Sequence, residues 1–326
     1  VMYSFLIIVP DGGMLFEATG IADILQHANF LSPASTPLYQ VTIATSQPYH
    51  VVHGQSGLNL LADASLNELD PGQPYDTVII TGKGHQDAER AEIADWLRLA
   101  APHVRRVASV CGGALILAQA GLLNHRRATT HWRLLDRMEK EYPDIQVLRG
   151  PVYVQDGPVW TSAGVSSGFD LTLAMVEADY GFTLARDVAK ELVMYLRRPG
   201  GQAQFSHYLP EQAKTPGPIR DLQQWVMENP RQDLSVESLA GKVAMSPRNF
   251  TRVFTRETGT TPAKYVEMVR LNAARERLEQ TRTSIEQIAA ETGLGSSINL
   301  RRVFERHLQV TPTEYRERFH SLNPAP

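Results

Sequence analysis

Hydrophobic positions change their period along the chain. Over residues 1 to about 197, short apolar runs alternate with stretches of helical spacing. Residues 5–9, 39–44, 77–80 and 106–110 read as strands, and residues 15–30, 88–101 and 112–120 as helices. Residues 51–60, broken by Gly54 and Gly57, read as a hairpin excursion. Residues 152–154 and 159–161 flank Asp156-Gly157, a tight-turn signal. Helices at 167–180 and 183–196 follow. Such alternation predicts an α/β fold, a parallel sheet with helices on both faces, whose ligands sit at the carboxyl ends of the strands.

Residues 198–217 lose the periodicity and are dense in Gly and Pro, as a linker between domains would be. Beyond them the pattern is all-helical and repeats itself. At a slide of 50 residues Phe250 falls on Leu300, Arg252 on Arg302, Val253 on Val303 and Phe254 on Phe304. Arg256 falls on Arg306, Thr261-Pro262 on Thr311-Pro312 and Tyr265 on Tyr315. At 49 the upstream helix matches too, Val236 with Ile285 and Leu239 with Ile288, so the slip falls in a turn. Each copy reads helix, tight turn, helix. Ser246-Pro247 opens one second helix with an N-cap and a first-turn proline. Ser284 and Gln287 form a capping box in the other copy. Gly293 takes the turn, where φ > 0 is needed. Residues 262–280 form one continuous connecting helix of about 28 Å, which would set the two second helices about 34 Å apart, one turn of DNA.

The outward faces of those second helices carry Arg248, Asn249, Thr251, Arg252 and Arg256, and Ser297, Asn299, Arg301, Arg302 and Arg306. These are donors for phosphates and base edges. One arginine-rich helix is usually a solvated face; two at matching offsets point to double-stranded DNA. Charge is divided in the same sense. From Thr215 onward, 16 Lys and Arg stand against 13 Asp and Glu, a net +3, leaving −6 for the remainder. No apolar run reaches membrane length, and no signal peptide is evident in the opening stretch. A single cysteine excludes an internal disulfide and suits a reducing cytoplasm. No cofactor or metal is expected.

That cysteine, Cys111, follows an apolar strand and precedes Gly112-Gly113, which opens a helix. A strand-to-helix elbow presents its side chain at the sheet edge, and a helix N-terminus lowers a thiol pKa. His131 follows 20 residues later. Gly82-Lys83-Gly84 offers backbone N–H groups after another strand, and Glu17 a carboxylate after the first. Singly, each has a plainer reading: a buried inert thiol, a packing histidine, a first-turn helix carboxylate.

The segments "GTTPAKYVEMVRLNAARERLEQT" and "VTPTEYRERF", with the paired helix-turn-helix units, resemble the DNA-binding domain of AraC-family transcriptional regulators. "SVCGGALILAQAGLLNHRRATTHW", "VWTSAGVSSGFDLTLAMVEADYG" and "RRPGGQAQFS" resemble the class I glutamine amidotransferase-like, PfpI-type domain, and more narrowly its fusion to an AraC module in the GlxA-like regulators. The resemblance implies a flavodoxin-like effector and dimerisation domain over 1–197, a linker over 198–217 and a DNA-binding domain over 218–326. It implies a cytoplasmic homodimeric regulator that senses a small nitrogen-containing metabolite. The pocket would be formed by Cys111, His131, Glu17, Gly82, Lys83 and Gly112, with Cys111, His131 and Glu17 catalytic in form but binding in role. Competing readings are a cysteine-dependent amidase, hydratase or peptidase, and a redox sensor at Cys111. The sequence departs from the family at Leu294, where Phe is usual, at Glu17 in place of Asp, and at Lys83 in place of Gly.

Overall fold

Strand β1 (Tyr3–Val9) is apolar on both faces, and its period of two sends alternate residues into different layers. Phe5, Ile7 and Val9 pack with Ile21, Leu25, Leu173 and Val188 on one side; Leu6 and Ile8 pack with Ile93, Leu97 and Leu115 on the other. In this computed structural model, residues 2–33, 35–83, 87–194, 196, 202 and 217–319 are described. The chain divides into two units, Val1–Gln202 and Ala203–Pro326.

The first unit continues with β2 (Tyr39–Thr45), the hairpin β3 (Val51–His53) and β4 (Asn59–Leu61), then β5 (Ala64–Ser65), β6 (Thr77–Ile80) and β7 (Arg106–Ser109). After these come β8 (Arg127–Ala128), β9 (Gln146–Val147), β10 (Tyr153–Asp156) and β11 (Val159–Ser162). Seven of them form one sheet in the order β10-β11-β7-β6-β1-β2-β5, parallel except for the β10–β11 hairpin at its edge. Helices α1 (Leu15–Leu31), α5 (Ser167–Tyr180) and α6 (Phe182–Glu191) cover one face. Helices α2 (Asp87–Ala100) and α3 (Gly113–Gln119) cover the other, and α4 (Leu135–Glu141) follows β8. The α/β fold expected from the pattern is the fold observed. Helix α6 ends at Glu191, short of the expected residue 196, because Val193 turns to φ 54°. The edge strand β5, the β8–β9 pair and α4 have periodic signals too short to read.

The second unit holds α7 (Pro218–Glu228), α8 (Val236–Lys242), α9 (Pro247–Thr258), α10 (Pro262–Gln280), α11 (Ile285–Glu291), α12 (Ser297–Leu308) and α13 (Pro312–Phe319). The long helix α10 serves two cores. Tyr265, Val266 and Val269 pack with Leu239, Phe250 and Phe254; Met268, Leu271 and Leu278 pack with Ile288, Leu300 and Phe304. The repeat is kept down to ring geometry: Phe254 meets Tyr265 edge-on at 5.4 Å, and Phe304 meets Tyr315 edge-on at 5.5 Å. Gly293 has φ 77°, as the turn requires, and a Cβ there would lie 2.4 Å from the Pro230 carbonyl. The first copy makes the same turn with Ala244 at φ 53°, a conformation its sequence does not announce. Leu294 is buried and fills the slot where the family has Phe. The capping box at Ser284 is only half formed. Ser284 accepts from the Gln287 N–H at 3.2 Å, but the Gln287 amide reaches forward to Glu291 at 2.8 Å. The expected linker lies outside the described residues apart from Gln202 and Gly217.

Candidate functional site

Strands β1, β6 and β7 end side by side, so the chain segments that leave them meet at one edge. The loop after β1 feeds α1, whose first turn buries Glu17 to 2% exposure. Its Oε2 accepts the Gly82 N–H at 2.7 Å, just after β6. The expectation that Gly82 offers its N–H to a ligand is corrected by this bond, because the donor is already spent on Glu17. Gly84 lies outside the described residues.

Cys111 stands after β7 at φ 54°, a left-handed conformation that a side chain adopts only when its surroundings hold it. Its N–H donates to the Ser162 carbonyl at 3.2 Å, and its carbonyl accepts from the Thr130 hydroxyl at 2.7 Å. The glycines make the elbow possible. A Cβ on Gly113 would lie 2.4 Å from the Ile80 carbonyl, and one on Gly82 would lie 3.1 Å from Cys111 Cβ.

The Glu17 carboxyl and the Cys111 thiol act on each other's protonation. Burial pushes the Glu17 carboxyl up to about 7, against the opposing bonds from Gly82 and Cys111. Burial, and then the Glu17 charge, push the Cys111 thiol up to about 12; the Gly112 N–H and Lys83 pull weakly the other way. A lowered thiol pKa, expected from the elbow, is therefore reversed: α3 is a two-turn helix, and its end cannot outweigh burial beside a carboxylate. Lys83, at φ 94°, stands next to Gly82 and acts on the sulfur through its charge.

His131 does not join this pair. Its Nδ1 accepts from the Arg133 N–H at 3.3 Å, its ring stacks on Trp132 at 5.4 Å, and burial with the nearby Arg133 charge lowers its pKa. Among the described residues it makes no hydrogen bond to Cys111. The neighbouring Thr129 and Thr130 brace the elbow through the backbone and Gln202. Thr130 holds the Cys111 carbonyl, and the Thr129 hydroxyl accepts from the buried Gln202 amide at 2.7 Å. The arrangement is a neutral thiol beside a carboxyl balanced near neutrality. It can donate and accept hydrogen bonds, and burial beside the carboxylate disfavours the thiolate.

In the second unit, the serine caps of α9 and α12 are equivalent: Ser246 accepts from Asn249 N–H, and Ser296 from Asn299 N–H. Asn249 then accepts from Arg252 at 2.9 Å, and Asn299 from Arg302 at 2.8 Å. Each asparagine aims an exposed guanidinium. The Asn299 amide also donates to the Leu294 carbonyl, so its side chain is committed within the fold. The Thr251 hydroxyl donates to the Pro247 carbonyl, and the Ser297 N–H donates to Glu286. Arg248 is exposed, without a carboxylate partner among the described residues. Arg256 pairs with Glu257 at 3.3 Å, Arg301 with Glu305 at 2.7 Å, and Arg306 with Glu267 of α10 at 3.1 Å. Sequence reasoning passed over Ile298, which is 80% exposed in the first turn of α12; its place opposite Arg248 in the repeat was the available signal.

Residues 4–178 match the DJ-1/PfpI family and residues 239–318 a helix-turn-helix domain family. An HTH-type transcriptional regulator of Mycobacterium tuberculosis is 30% identical over 76% of this chain and 97% of its own. GlxA of Rhizobium meliloti, also an HTH-type transcriptional regulator, is 28% identical over 93% of this chain and 92% of its own. Among solved structures, an AraC family transcriptional regulator from Pseudomonas putida superposes at a TM-score of 0.51, with 22% identity, over 58% of this chain and 99% of its own. Drosophila melanogaster DJ-1beta does so at 0.50, with 21% identity, over 60% of this chain and all of its own. The chain belongs to the DJ-1/PfpI family through its first unit and, taken whole, to the AraC-type helix-turn-helix transcriptional regulators that carry such a domain. It is a transcriptional regulator of the GlxA-like kind.

Proposed function

We propose that the second unit binds double-stranded DNA with α9 and α12 in successive major grooves. The first unit holds a small nitrogen-containing effector at the Cys111–Glu17 edge, and two copies pair through it. The observation that carries this reading is the duplicated pairing of Asn249 with Arg252 and of Asn299 with Arg302. A guanidinium already steered loses less freedom on meeting phosphate or guanine than a free one does. Residues 1–197 and 218–326 act as separable domains joined by 198–217. No helix among the described residues is long and apolar enough to cross a membrane, and the regulator works in the cytoplasm. The pocket binds rather than turns over. A sulfur held as thiol is a poor nucleophile, and the carboxyl and Lys83 supply a hydrogen-bonding partner and a cation for a polar metabolite.

Titration of DNA with the full chain at fixed salt tests the first half. Arg252→Ala and Arg302→Ala each weaken binding, by about 1–3 kcal/mol where a base contact is lost; unchanged affinity in both removes these helices from the groove. A thermal-shift screen of amines and amino acids tests the second half. A true effector at 100 times its dissociation constant stabilises by about 2.7 kcal/mol, and Glu17→Ala abolishes that shift.

A further inference from the structure

The two recognition helices agree in fold and differ in chemistry. Arg248 of α9 and Ile298 of α12 occupy the same place in the repeat, one residue before the asparagine whose N–H meets the serine cap. Both are exposed, Ile298 to 80%. A single exposed aliphatic residue is ordinary on a protein surface. Ile298 stands out by its neighbours: Ser296, Ser297, Asn299, Arg301 and Arg302 are all polar. A β-branched residue in a helix is not there for propensity either. The charges around it are also muted. On α12 Arg301 is paired with Glu305 and Arg306 with Glu267, leaving Arg302 without a carboxylate partner among the described residues; on α9 Arg256 is paired with Glu257, leaving Arg248 and Arg252.

Thymine is the base that shows a methyl group in the major groove, and an apolar side chain is its match. Resting on the DNA-binding reading above, we propose that Ile298 reads a thymine methyl in the half-site entered by α12. The two half-sites then differ in kind. The α9 half is read by arginines, which suit guanine, and the α12 half by aliphatic contact. DNA is the occupant that the rim favours, because Arg302, without a carboxylate partner among the described residues, lies one turn from the isoleucine on the same helix and suits a phosphate-lined groove.

The full chain is used to enrich duplexes from a randomised pool, and each thymine of the enriched duplex is then replaced singly by uracil, which removes the methyl alone. At one or two positions within one half-site, uracil lowers affinity roughly fourfold, the equivalent of about 0.8 kcal/mol for one buried methyl. Ile298→Ala binds the thymine duplex at least as weakly and no longer distinguishes thymine from uracil there; Ile298→Val still does. Uracil tolerated at every position, or discrimination that survives in Ile298→Ala, overturns the proposal while DNA binding stands. Failure to enrich any duplex overturns the DNA-binding reading and this proposal with it.

Discussion

Replacing Glu17 with glutamine removes the one charge that burial makes costly at the elbow. The carboxyl moves from an ordinary 4.5 to about 7 in the fold. A folded-state value above the unfolded one means that the fold binds the proton more tightly. Glu17 therefore favours the fold fully below pH 4.5, and the advantage is lost as pH rises through about 7. About 2.5 pH units at 1.36 kcal/mol each give about 3 kcal/mol. Glutamine is neutral throughout and keeps an acceptor for the Gly82 N–H. Glu17→Gln is expected to match wild type at pH 4.5 and to exceed it by about 3 kcal/mol at pH 8. For a unit of this size that is about 6–12 °C in melting temperature. Calorimetry between pH 4.5 and 8.5 measures it, with the transition of the first unit followed because the chain holds two units. A gap that stays constant with pH refutes the reasoning. So does a wild type that gains on the variant as pH rises, the mark of a carboxyl held below its usual range.

Cys111 is expected to resist iodoacetamide at pH 8 and to react faster in Glu17→Gln, since the Glu17 charge is the second cause of its raised pKa; a reaction profile centred near the ordinary thiol value of about 8.5 contradicts this. Gly113→Ala drives a Cβ onto the Ile80 carbonyl at 2.4 Å and is expected to cost about 1–3 kcal/mol in urea unfolding, whereas a loss under about 0.5 kcal/mol shows that the elbow yields. Glu267→Gln releases Arg306, so DNA affinity measured against salt should fall more steeply, by about one in the logarithmic slope; an unchanged slope shows that Arg306 does not face phosphate.

Much of the fold was legible because its signals are local. The strand at Thr77–Ile80, the helix at Ser167–Tyr180 and the connecting helix at Pro262–Gln280 carry unbroken apolar periods bounded by caps or turns, and all three ends fall where the pattern puts them. The elbow was legible as a place and misread in its electrostatics. Where a thiol sits follows from a strand, a cysteine and two glycines; what its pKa does depends on how deeply Glu17 is buried beside it. Pairings across long separations were invisible for the same reason. Arg306 looked like a free cation until Glu267, 39 residues away, came to lie against it. The buried pair of Arg106 and Asp179, 73 residues apart, left no trace in either local pattern.

Three of the six arginines on α9 and α12 arrive with their own carboxylate: Arg256 with Glu257, Arg301 with Glu305, Arg306 with Glu267. A guanidinium that brings an anion neutralises no phosphate on balance, and so displaces no condensed cation from DNA. Six free arginines would contribute a salt exponent of about −5; three contribute about −2.7. Between 50 and 200 mM salt, that separates a loss of more than a thousandfold from one of about 40-fold. The carboxylates thus act as built-in counterions. With α9 and α12 in the groove as proposed, they would trade affinity at low salt for steadiness as ionic strength changes, and leave the choice of site to base edges rather than to charge.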